Sequence, residues 1–168
     1  VFMGPQNALE STGAMLVSGN QAIIARMEPE LSKMTGKLMN FGPEEGKAAA
    51  FKLIGNLFLL TLTTGLSDAL SLAKAQDVPA SEVVDFFSSW NPGATMPARL
   101  KRMTGGNFST ASWELNMARK DAGLMIQAAI DGGARLAVIP AVADEMDRWI
   151  AKGHGADDWS VIAKDSIR

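Results

Sequence analysis

At 168 residues, 47% hydrophobic and 20% charged, the chain has the balance of a folded domain with a substantial core, not of a disordered segment. Its formal net charge of -2 gives no basic field, and the densest basic cluster, Arg99-Leu-Lys-Arg102, is too short to track a phosphate backbone, which argues against nucleic acid as a partner. The absence of cysteine removes disulfides and thiolate metal sites and fits a reducing, cytoplasmic compartment.

In chain order, Ala14-Met-Leu-Val17 reads as a short strand, Ser18-Gly-Asn20 as a turn and cap, Gln21 to Met34 as a helix and Lys37-Leu-Met-Asn-Phe41 as a second strand. This βαβ-like piece is too small to cover both faces of a parallel sheet, so residues 1–42 are expected to be the remnant of a larger α/β domain. The start at Val1, without an initiator methionine, also suggests a fragment or processed product.

Strand signals end at Pro43. Pro43-Glu-Glu45 suits a helix start, with proline in the first turn and carboxylates at the positive end of the dipole, and the pattern runs to about Gln76. That length, roughly 50 Å at about 1.5 Å per residue, is unusual in a globular domain. The run from Leu53 to Leu66 is interrupted by Gly55, Asn56 and threonines and falls short of the roughly 20 apolar residues of a spanning helix, so it is expected to be a buried core helix and no membrane partner is expected. Shorter helices follow: one capped by Ser81 to Ser89, one from Met96 to Met103, one from Ser112 to Ile130 ending at Gly132-Gly133, one with Pro140 in its first turn to Ala151, and Asp157 to Lys164. Residues 43–168 form the expected helical domain.

Lys52 and Asn56, four apart, share one face of the long helix. Either the lysine snorkels to solvent and the amide satisfies nearby backbone, or both face a cleft in which Lys52 moves a proton and Asn56 orients a substrate oxygen. His154, in Lys152-Gly-His-Gly155, reads as an exposed loop histidine; with no second histidine, a metal site is disfavoured, and no hydroxyl has a histidine placed to activate it. The ten methionines and seven phenylalanines read as core filling. Trp113, Asn116, Lys120 and Leu124 fall on one helical stripe, although Lys120-Asp121 alone is an ordinary surface pair.

Taken in order, Gly42-Pro-Glu-Glu-Gly46 leading into Lys52-Leu-Ile-Gly-Asn56, then Trp113 seven residues before Lys120-Asp-Ala-Gly-Leu124, resemble the β-hydroxyacid dehydrogenases. These include the 3-hydroxyisobutyrate dehydrogenase and tartronate semialdehyde reductase family, related to 6-phosphogluconate dehydrogenase. The resemblance implies a mainly α chain: an all-helical carboxy-terminal dehydrogenase domain built on one long helix, after a short Rossmann remnant. It implies Lys52 as the catalytic lysine, Asn56 as a substrate-binding amide, and Lys120 and Trp113 as residues reaching the nicotinamide cofactor, NAD or NADP. It further implies a small-molecule substrate and association as a homodimer or larger homo-oligomer.

Two departures stand out. Where the family has Val-Ser-Gly-Gly-x-x-x-Ala to hold a substrate carboxylate, this chain reads Val1-Phe-Met-Gly-Pro-Gln-Asn-Ala8. Phe2 and Met3 replace the serine and first glycine while Gly4 remains, which removes a hydroxyl donor and adds apolar bulk in the substrate-binding segment. In addition, no GxGxxG fingerprint occurs, so the chain is expected to be the carboxy-terminal part of an enzyme, inactive alone. The rival readings are a non-catalytic helical interaction module and a related imine reductase. The retained Lys52 counts against the latter.

Overall fold

A single pair of parallel strands carries all the named β structure among the described residues. The computed structural model describes residues 1–167 and divides into two compact units, one of residues 1–61 and one beginning at Leu62.

In the first unit, β1 (Ala14–Val17) and β2 (Lys37–Asn40) pair in parallel with Ala14 opposite Lys37 and Val17 opposite Asn40. Between them runs α2 (Gln21–Leu31), which follows from its cap: Asn20 Oδ1 accepts the Ala22 and Ile23 N–H groups at 3.0 and 3.1 Å. The helix tightens into a 3-10 turn at Ser32–Met34, just after Pro29, which has no N–H to offer the ladder. The sequence places all of these. It does not anticipate α1 (Pro5–Glu10), a six-residue helix closed by the Gly4 N–H donating to Asn7 Oδ1 at 2.9 Å and ended by Ser11 at φ 54°. Six residues are too few for a hydrophobic period to show.

The long helix α3 (Lys47–Ala75) starts four residues later than Pro43-Glu-Glu45 suggests. Gly42 and Gly46 both sit at positive φ, 91° and 80°, so the segment makes a turn before the helix begins. The start is tied back to β1 by the Ala48 N–H donating to Ser18 Oγ at 3.0 Å, and Phe41 stacks on Phe51 with ring centres 4.1 Å apart.

The expectation of a buried core helix is overturned. Only Asp68 of α3 is buried, while Leu53, Leu57 and Leu60 are 72%, 68% and 69% exposed. The helix is apolar nearly all round, but the described chain offers no element to cover that surface. As one continuous helix it is also long and apolar enough, by length and composition, to cross a membrane, contrary to the shorter span read from the interrupted run. A helix that packs against protein meets the same test.

The second unit contains α4 (Ala80–Ser89), α5 (Met96–Gly105), α6 (Leu115–Asp131), α7 (Ile139–Trp149), a π turn at Ile150–His154 and a 3-10 segment at Trp159–Ser166. Pro79, not Ser81, caps α4, since its extended backbone already stops the preceding turn. The core joins Leu115, Ala118 and Ala122 of α6 to Ala143, Met146 and Trp149 of α7, with Phe108 and Val161 filling the ends. Alanines at the α6 positions allow the close approach that the Trp149 ring needs.

Two buried carboxylates organise this unit. Asp68 accepts the Ala137, Val138 and Ile139 N–H groups at 2.7, 2.8 and 3.1 Å, capping α7 from another helix. Burial raises its pKa, but those three donors outweigh that and hold it below the usual carboxylate value. Asp158, 1% exposed, accepts from Ser112, Ser160 and Arg102, the last at 2.7 Å. Burial opposes its ionisation, yet the serine hydroxyls and backbone N–H groups hold its carboxyl far below the ordinary range.

Candidate functional site

Of the sequence-predicted residues of the first unit, Phe2 and Lys52 meet on one face of α3. Phe2 joins β1 through an antiparallel bridge to Ala14, its N–H donating to the Ala14 carbonyl at 2.8 Å and its own carbonyl accepting at 3.1 Å. That pairing fixes its ring against α3 at Gly55, where an added Cβ would lie 2.3 Å from Phe2 Cζ. A glycine in mid-helix costs stability, and here it makes room for an aromatic ring.

Lys52, one helical turn before Gly55, carries its Nζ 4.1 Å above the centre of the same ring. Neither Lys52 nor Asn56 is fully buried; both are half-buried on α3. Among the described residues Lys52 makes no ion pair and the Asn56 side chain no hydrogen bond, which leaves an ammonium and an amide open to a ligand. Met3 packs near Gly13, with its Cγ 3.0 Å from where a Gly13 Cβ would stand, and Gly4 is engaged in starting α1. The segment thus presents apolar side chains where the family pattern has a hydroxyl.

In the second unit, Asn116, Lys120 and Leu124 lie on α6, but Trp113 precedes the helix, which begins at Leu115. Trp113 is held by its carbonyl accepting the Trp159 N–H at 2.9 Å and by an edge-on contact with the Trp159 ring at 5.6 Å. It remains 39% exposed, and Lys120 is exposed too. His154 differs from the exposed loop residue expected: its Nδ1 lies 2.6 Å from Asp157 Oδ2 and its ring packs 5.3 Å from that of Trp149. A nearby carboxylate three residues on was the sequence signal for this pairing. No cluster of metal-ligating side chains occurs among the described residues.

Residues 44–167 match the family described as NADPH-dependent reductive aminase-like, C-terminal domain. The chain belongs to that family. This reductive aminase-like domain is 22% identical over 162 residues to 2-(hydroxymethyl)glutarate dehydrogenase of Eubacterium barkeri, covering 96% of the chain and 54% of that enzyme. Its fold is that of an imine reductase from Myxococcus stipitatus solved with NAD+, with TM-score 0.89, 17% identity, and 98% of the chain matched to 59% of that one. It is likewise that of a reductive aminase from Aspergillus terreus solved with NADPH and ethyl levulinate, with TM-score 0.86, 19% identity, and 100% matched to 59%.

The chain therefore spans a little over half the length of the proteins it matches. The resemblance to the carboxy-terminal part of the β-hydroxyacid dehydrogenases holds, as does the mainly helical fold around one long helix. The lower rank given to imine reductases does not hold, because they are as near to this domain as the dehydrogenases are.

Proposed function

We propose that the domain supplies the proton-handling part of an NAD(P)-dependent oxidoreductase, with Lys52 as proton donor in reduction and acceptor in oxidation. The observation that carries this reading is the free Lys52 ammonium beside the free Asn56 amide on one face of α3. A reduced nicotinamide, when bound, supplies the hydride. Lys52 delivers a proton to the substrate heteroatom as negative charge develops there, while the Asn56 amide N–H donates to the same atom and fixes its direction. Trp113 and Lys120, both exposed, are the residues of the second unit that would reach the cofactor. Cofactor binding is then divided between this chain and a dinucleotide-binding domain such as its relatives' additional length can hold.

Phe2, covering α3 beside Lys52, disfavours a small hydroxy acid held by its carboxylate and favours a larger, less polar carbonyl compound. A second reading, reduction of an imine formed from a carbonyl and an amine, is favoured by the same apolar wall and by the family match. The test is turnover by the enzyme carrying this domain with its dinucleotide-binding domain, using NADH and NADPH, against hydroxy acids, semialdehydes, ketones alone, ketones with amine, and cyclic imines. Carbonyl reduction without amine that Lys52→Ala abolishes supports the first reading. Turnover only with amine or imine, insensitive to Lys52→Ala, replaces it with the second.

The uncovered leucines of α3 support a further part of the proposal, self-association of the chain as a homodimer or larger homo-oligomer.

A further inference from the structure

A cleft of about 300 Å³ opens within the second unit, bounded by Thr95, Arg99, Arg102, Ser112, Trp113 and Trp159. Its volume is at the lower end of small-molecule sites. The two arginines differ in what they already hold. Arg102 is committed in part: its Nη1 lies 2.7 Å from Asp158 Oδ2 and donates to the Thr110 carbonyl at 2.9 Å, so its charge is paired with a buried carboxylate. Arg99 has neither an ion pair nor a hydrogen bond among the described residues; its Cζ stands 4.8 Å over the Trp159 ring. Attraction to an aromatic face positions a guanidinium without satisfying its five N–H donors, which remain able to grip a carboxylate bidentately.

The aromatic groups complete the pattern. Trp159 is covered by Arg99 and met edge-on by Trp113 at an interplanar angle of 63°, which leaves the partly exposed Trp113 ring as the open π surface of the cleft. Among the described residues, no acidic side chain lines it. A free planar cation beside an open indole is complementary to a flat ring bearing a negative group. We propose that this cleft binds a small aryl carboxylate, its ring against Trp113 and its carboxylate paired with Arg99. The site uses residues of the second unit alone; it shares Trp113 with the proposed cofactor contact, whereas Arg99 has no part in the proposed hydride transfer.

The test is a titration of the 168-residue chain with benzoate, benzyl alcohol and acetate, following the four indole N–H signals by NMR. Benzoate is expected to shift Trp113 and Trp159, to leave Trp90 and Trp149 in place, and to bind at least tenfold more tightly than either control. Arg99→Gln is expected to weaken benzoate about tenfold, with Arg99→Lys in between because it keeps the charge and loses the fork. Benzyl alcohol or acetate binding as well as benzoate, shifts spread over all four indoles, no shift at 10-fold excess over a millimolar Kd, or unchanged benzoate affinity in a folded Arg99→Gln chain would each overturn the proposal.

Discussion

Lys52 Nζ lies 4.1 Å above the centre of the Phe2 ring, so the cation proposed to move a proton rests on an aromatic face contributed from the other end of the unit. A cation over an aromatic ring gains about 0.5–1 kcal/mol at a partly exposed site, enough to narrow the range of positions a long, flexible side chain visits. In the enzyme carrying this domain, Phe2→Leu should lower kcat by about two- to fivefold, the rate equivalent of that energy, with KM for the cofactor unchanged. Lys52→Ala should remove the chemical step with the fold intact by circular dichroism. Near-normal kcat in Lys52→Ala would end the assignment.

The Phe2 ring depends in turn on Gly55, whose missing side chain leaves it room. In an open helix position, Gly→Ala stabilises by about 0.8–1 kcal/mol. Here the new methyl carbon would sit 2.3 Å from Phe2 Cζ, so the ring must move. Gly55→Ala should gain little or lose stability by itself and recover the full helix gain in a Phe2→Ala background. Urea unfolding of the four chains of this double-mutant cycle checks the coupling; equal gains in both backgrounds would remove the Phe2–Gly55 relationship.

Much of the fold was legible locally, and the reasons are visible residue by residue. Asn20 announces α2 because a cap is a short-range device, and Gly132 ends α6 at the position read from sequence. What sequence could not show was long-range. Asp68 looks like any helix carboxylate until the N–H groups of 137–139 arrive 69 to 71 residues later. Asp158 and Ser112 are 46 apart, and Arg99 gains its setting only from Trp159. The candidate site was legible as a pattern, Lys52 with Asn56, but the contact of Phe2 with that face was not. Hydrophobicity also misled: the apolar composition of α3 implies burial somewhere, but does not say that the covering surface lies in the same chain.

Asp68 gives the domain an acid-sensitive stabilisation. Its folded pKa is below the ordinary carboxylate value, so its contribution is fully present above the unfolded value and is lost as pH falls through the folded one. Asp68→Asn should cost about 1–3 kcal/mol near neutral pH, since an amide has one acceptor oxygen for three buried donors. The difference from the native chain should shrink progressively below about pH 4, where the unfolded carboxylate begins to hold its proton. Urea midpoints from pH 7 down to pH 2.5 measure it. A gap independent of pH would show that packing, not charge, makes Asp68 important.

The exposed stripe of α3 leads to the last expectation. Leu53, Leu57 and Leu60 follow one another at helical spacings of four and three, so a second copy can cover them together. Fully burying a leucine is worth about 1.5–3 kcal/mol, and three from each chain supply a substantial part of what association costs. The chain should sediment as a dimer or larger assembly at micromolar concentration. Changing all three leucines to glutamate should give a monomer whose second-unit core, reported by the buried Trp149, is unchanged in fluorescence. A native chain that sediments as a monomer at 100 µM, or a triple variant that associates as strongly as the native one, would rule out this face as the self-association surface.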